Sequence, residues 1–182
     1  MMNQNYIPPA GPPPMIAQRS GNQSAIKIVL GVFAAMIAAV LGLIVLLLIG
    51  IETGPVALLI GMFSACLPVP LYVTLLLWID RYESEPIWML ATAFFWGALV
   101  AVFAAFVFNT GAELFVAAST NSASIAQNFG AVISAPIVEE SAKGFILFVF
   151  FFWKKDEFDG IIDGIVYAGM VGLGFAMTEN IQ

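Results

Sequence analysis

Histidine does not occur in the 182 residues, cysteine occurs once, and only 10% of residues are charged. Without His, the commonest metal ligand and the side chain that titrates near neutrality are missing. No Ser/His or Cys/His nucleophile can be assembled. The single cysteine, Cys66, excludes an internal disulfide and a cysteine zinc site. Six bases stand against 12 acids, a net charge of −6, which argues against a nucleic-acid partner. What is abundant is apolar: 61% of residues are hydrophobic, and mean hydropathy is +0.97. A soluble domain is about 45–50% apolar and about 25% charged. The composition therefore specifies an integral membrane protein and excludes disorder for most of the chain.

Charge divides the chain. Residues 1–25 are polar, and Ile7 to Met15 reads IPPAGPPPM. Clustered prolines favour extended polyproline geometry and cannot donate helical hydrogen bonds. A disordered Pro-rich tail is expected over 1–25 and a polytopic membrane domain over 26–182. Ile28 to Ile51, Thr53 to Ile79 and Pro86 to Ala112 carry no charge. Each exceeds the roughly 20 residues that cross a bilayer core as a helix. The first also exceeds a signal-peptide h-region of about 7–15 residues, so it reads as an uncleaved anchor. Ile125 to Trp153 is apolar apart from Glu139, Glu140 and Lys143, and Phe158 to the last residue apart from Asp159, Asp163 and Glu179. The expected fold is all-α, a multi-pass helical membrane protein with about five transmembrane helices.

Orientation follows from the bases. Arg19 and Lys27 precede helix 1, Arg81 joins helices 2 and 3, and Lys154 and Lys155 join helices 4 and 5. The other connections, near Glu52 and from Asn109 to Ser124, contain none. The positive-inside rule places the N-terminus in the cytoplasm, and Trp78, Trp88 and Trp153 fall where an aromatic belt belongs. The expected location is the cell membrane.

Charge at membrane depth costs roughly 2.5–3.5 kcal/mol on insertion scales and is usually paired and functional. Glu139 and Glu140 lie about 20 Å along a helix from Trp153, towards the outer half. Lys143 follows them by four and three residues and shares their face. Neighbouring carboxyls in unlike environments suit general acid/base chemistry. Pro136, one turn earlier, removes a helical hydrogen bond. It either kinks the helix or starts a new one capped by Ser134 or Ala135. In helix 5, Gly160, Gly164, Ala168, Gly172 and Ala176 recur every four residues, a stripe that invites close helix packing. Glu179 and Phe175 are expected on that packed side. Asp163 points away and reads as a helix-start acid.

The candidate site is therefore Glu139, Glu140, Lys143 and Glu179, between helices 4 and 5. A carboxylate there can activate water while a second acid protonates a leaving amine. Metal assistance is an alternative, although Glu ligands alone make an unusual zinc site. Two other classes compete. A proton- or ion-coupled transporter should continue its relay into helices 1 to 3, which carry no charge beyond Lys27. A non-catalytic assembly protein would use the stripe and ion pair for packing alone.

The motifs resemble a known family. Ala135-Pro-Ile-Val-Glu-Glu-Ser-Ala-Lys143 is similar to the Glu-Glu-x-x-Lys motif of PrsW-type intramembrane proteases. Glu157 to Tyr167, and Gly172 to Asn180 with Phe-x-x-x-Glu at Phe175 to Glu179, resemble its next block. Asp80-Arg-Tyr-Glu-Ser-Glu-Pro86 and Ala93-Phe-Phe-Trp-Gly-Ala98 resemble its loop and third helix. The resemblance covers about Leu77 to Gln182. It implies a multi-pass protease of the CAAX-protease-like superfamily that cuts membrane-anchored proteins such as anti-sigma factors near the outer surface. It carries over Glu139, Glu140, Lys143, Phe175 and Glu179 as catalytic residues. A divalent metal such as zinc, with Glu140 and Glu179 as candidate ligands, stands beside a glutamate mechanism. The family has a later helix with an essential His, so the resemblance implies that this chain is the N-terminal portion of a longer protein.

Overall fold

The structure is a computed structural model that describes residues 21–82, 84–155 and 157–181. Among these, all regular structure is helical. Helix α1 is Gly21–Thr53 and α2 is Pro55–Tyr82. Helix α3 is Ile87–Thr120, α4 is residues 123–153, and α5 is Ile161–Glu179. By contacts, residues up to Ala34 form one unit and Ala35–Gln182 a second; the site lies wholly within the second. The proline cluster of the expected tail lies outside the described residues. Residues 21–25, assigned to that tail, are helical. No proline follows Pro14 until Pro55, so nothing stops the helix from starting early.

Among the described residues, four helices are long and apolar enough to cross a membrane: Met36–Thr53, Pro55–Tyr82, Ile87–Thr120 and Ile161–Glu179. Helix α4 has the length but carries Glu139, Glu140 and Lys143. The protein is thus an all-α, multi-pass membrane protein. Gly54 joins α1 to α2 with φ +84, a backbone setting that favours glycine. Helix α2 bends where Pro68 and Pro70 interrupt its hydrogen bonds.

The connection expected over Asn109–Ser124 is corrected by the structure. Helix α3 runs on to Thr120, because Glu113 ends an apolar run without breaking a helix. The real turn is short: Asn121 takes φ 50 and Ser122 caps α4 by accepting the Ile125 N–H. Two helices widen into π turns, Trp96–Ala101 in α3 and Gly130–Ser134 in α4. The second lies just before Pro136. Helix α4 therefore continues through the proline, and Ser134 makes no capping bond.

The packing of α5 also departs from expectation. Its buried face is Asp163, Val166, Tyr167, Met170, Val171, Gly174, Phe175 and Thr178. The predicted stripe lies elsewhere: Ala168 and Ala176 are exposed, and nothing approaches a Cβ placed on Gly172. The close crossing is between Gly97 of α3 and Gly174 of α5. A Cβ on Gly97 would run into the carbonyl oxygen of Val171, and one on Gly174 into that of Phe94. The period-four count finds small residues but not which of them face large neighbours. The π turn completes this joint. Thr178 Oγ1 donates to the Ala98 carbonyl at 2.8 Å, and Trp96 Nε1 donates to Ala142 of α4 at 2.9 Å. Trp96 also stacks on Phe145. Helix α3 thereby holds α4 and α5 together around the candidate site.

Candidate active site

Lys143 is the hub of the first motif. Its Nζ lies 2.8 Å from Glu140 Oε1 and 3.8 Å from Glu139 Oε2. It also sits 3.9 Å from the centre of the buried Phe175 ring. A cation over an aromatic face is attracted by the ring quadrupole. Phe175 thus ties the second motif to the first, which gives the Phe of Phe-x-x-x-Glu a physical role.

The two glutamates of α4 are not equivalent. The Glu140 side chain is 74% exposed and turned to Lys143. Glu139, 27% exposed, lines a cleft of about 190 Å³ with Glu179 of α5. Glu179 itself is exposed at the rim and not in the packed interior, because the stripe it follows is the open side of α5. Outside the motifs, α3 lines the cleft with Asn109 and Glu113, beside Thr110 and the apolar Val102, Ala105 and Phe106. Ser134 Oγ donates to Asn109 Oδ1 at 2.8 Å. The Glu113 side chain lies over Gly130, where a Cβ would come within 2.7 Å of Glu113 Cγ. Sequence reading placed both residues in a loop. The available signal was their spacing of four, which puts two polar groups on one helical face.

These side chains do not by themselves fit a metal ion. Among the described residues, no three His, Cys, Asp or Glu come together as a metal group. Of the two expected ligands, Glu179 lines the cleft and Glu140 is paired with Lys143.

A second polar cluster lies at the other end of α5. Asp163 Oδ2 accepts the N–H groups of Asp159 at 3.0 Å and Gly160 at 2.6 Å. It is the helix-start acid expected. Tyr167, fully buried, donates to Glu85 Oε2 in the α2–α3 connection. The Glu85 N–H donates to buried Asp80 at 2.9 Å. Neither Glu85 nor Tyr167 was assigned a role from sequence. Burial lifts the Glu85 carboxyl from 4.5 to about 7; the Tyr167 hydrogen bond opposes this, while Asp163, Asp80 and Glu157 push it further up.

The docked connection thus holds a proton more tightly than a free one. A raised pKa contributes stability that is full below the free value of 4.5 and is lost as pH rises through about 7. The swing is about 3 kcal/mol at 1.36 kcal/mol per unit. Hydrogen-exchange protection of the Glu85 amide, bonded to Asp80, should fall about 100-fold between pH 5 and pH 8, after correction for intrinsic rates. Glu85→Gln should remove the dependence. Equal protection at both pH values would refute it.

The fold and cleft define a polytopic helical membrane protein in which carboxylates from separate helices line one cleft. Residues 85–182 match the sequence profile of a family described as PrsW family intramembrane metalloprotease. The chain belongs to the PrsW family of intramembrane proteases. Curated relatives named Protease PrsW agree. One from Geobacillus kaustophilus is 39% identical over 103 residues, covering 56% of this chain and 42% of the relative. One from Oceanobacillus iheyensis is 36% identical over 98 residues, covering 54% and 42%. One from Bacillus subtilis is 34% identical over 108 residues, covering 56% and 43%. The chain spans less than half the length of these relatives. No solved structure is significantly similar to it.

Proposed function

We propose that the protein hydrolyses peptide bonds of membrane-anchored proteins, of the anti-sigma-factor type, at the cleft formed by Glu139 and Glu179. Residues 26–182 are its membrane protease portion, and the stretch before α1 is its cytoplasmic tail. The observation that carries this reading is that the carboxylates of two separate family motifs line one cleft, with Lys143 and Phe175 joining their helices. Glu139 takes a proton from water as the water oxygen bonds to the peptide carbonyl carbon. When the C–N bond breaks, the amine leaves with that proton. One water is consumed, and one carboxyl and one amino terminus are formed. A positioned carboxylate contributes about 10²–10⁴-fold by such transfers.

The transporter reading gains Glu113 but lacks a path. Between Asp163 and Glu179, α5 carries no charged residue, and apolar helix separates the two polar clusters. The test is to compare protein termini by mass spectrometry in membranes of cells carrying the native gene or Glu139→Gln at its locus. At least one membrane-anchored protein should yield termini that Glu139→Gln abolishes. Identical terminal profiles would reject proteolysis.

The location we propose is the cell membrane, with the basic connections inside. Trp88 and Lys154 meet at one end of the bundle, with Nζ 5.4 Å from the ring centre, as interfacial residues do. On a Cys66→Ser background, Asn121→Cys should label from outside intact cells and Lys155→Cys should not. The reverse pattern would invert the topology.

A further inference from the structure

Hydrolysis by a carboxylate leaves one demand that the carboxylates of the cleft do not meet. As water adds to the peptide, negative charge grows on the carbonyl oxygen. A preorganised hydrogen-bond donor aimed at that oxygen is usually the largest single catalytic contribution. Glu139, Glu179 and Glu113, when ionised, can only accept hydrogen bonds. Among the described residues lining the cleft, the neutral donors are the Thr110 hydroxyl and the Asn109 amide, and Asn109 alone carries two N–H groups on one side chain.

Asn109 is also held in place. Its Oδ1 accepts the hydroxyl of buried Ser134, and no other hydrogen bond to its side chain forms among the described residues. Both N–H donors of Nδ2 are left for the cleft. Ser134 closes the π turn of α4, and such turns often mark functional positions. Asn109 and Glu139 thus enter the cleft from different helices, one with donors and one with a proton acceptor.

We propose that Asn109 is a further catalytic residue, whose amide donates to the carbonyl oxygen of the scissile peptide, and that Ser134 is its positioning residue. This rests on the hydrolytic reading above. The water proton passes to Glu139 and then to the leaving amine; Asn109 exchanges no proton and stabilises the oxyanion only.

Asn109→Asp separates this role from a helix tie, because Asp keeps the volume and an acceptor for Ser134 while losing both N–H donors. Asn109→Leu loses donor and acceptor together. The substrate probe is a synthetic transmembrane peptide spanning the mapped cut, in vesicles with the purified protein. Both variants should lower kcat about 100-fold or more with KM within about threefold, and membrane-inserted protein should be unchanged for Asn109→Asp. Ser134→Ala should lower kcat about tenfold. Cleavage by Asn109→Asp within about threefold of the unaltered protein would overturn the assignment. So would losses that track the amount of inserted protein in both variants. Glu139→Gln distinguishes the failures: normal cleavage by that variant would remove the hydrolytic reading itself, whereas its loss beside an active Asn109→Asp removes only the role of Asn109.

Discussion

Gly97→Ala and Gly174→Ala should each cost the protein its folded form, while Gly172→Ala should be silent. The first two glycines face backbone across the α3–α5 crossing. A methyl group on either would overlap a carbonyl oxygen of the opposite helix, and backbone cannot swing aside as a side-chain tip can. The helices would have to separate. That separation would break the Thr178 bond to Ala98 and strip cover from Val171 and Phe175, which are 1% and 3% exposed. Overpacking a core by a methylene typically costs about 1–3 kcal/mol, occasionally more; a clash against backbone on this scale belongs at or above the upper end. Gly172 has no neighbour within 4 Å of its Cβ position. The measurement is the monodisperse fraction after detergent extraction, with melting temperature on what survives. A destabilised Gly172→Ala beside a normal Gly174→Ala would return the packing role to the period-four stripe.

Glu139→Gln should lower cleavage about 100-fold or more, whereas Glu140→Gln should lower it only about tenfold. The asymmetry comes from where each carboxylate points. Glu139 lines the cleft opposite Glu179, and Glu140 is spent on Lys143 at 2.8 Å. Losing Glu140 loosens one of three restraints on Lys143, leaving Glu139 and the Phe175 ring. Losing Glu139 removes the group placed to take a proton. Both amides preserve shape, so inserted protein should stay level, which immunoblotting of washed membranes checks. Equal losses for the two variants would show that Glu140 also works at the reacting atoms.

The number of helices and the face shared by Glu139, Glu140 and Lys143 could be read from sequence, because both depend on local periodicity. The Lys143 ion pairs follow from i, i+3 and i, i+4 spacing alone. Which side of α5 packs could not be read. Gly160, Gly164, Ala168, Gly172 and Ala176 make a regular series, but burial depends on what α3 presents, and the contact falls on Gly174. The same series placed Glu179 in the packed interior facing helix 4; it is exposed, yet lines the cleft with Glu139 of that helix. Asn109 and Glu113 were hidden because an apolar run was equated with a helix, and α3 outlasts its apolar run. Glu85 and Tyr167 are 82 residues apart, a pairing that no local pattern encodes.

The π turn at Trp96–Ala101 also sets the phase of everything after it in α3. Each residue of a helix advances the chain by about 100°. Converting this turn to ordinary helix while deleting one residue would therefore leave length and phase unchanged, whereas converting it with all its residues kept would lengthen α3 by about 1.5 Å and rotate its second half by roughly that angle. Asn109 and Glu113 would then leave the cleft for another side of the helix, with every hydrophobic neighbour conserved in kind. The six residues from Trp96 to Ala101 thus act as a rotary setting. A substitution that closes the wide turn changes direction without changing chain length, and a comparison that judges by chain length alone will miss its effect on the site.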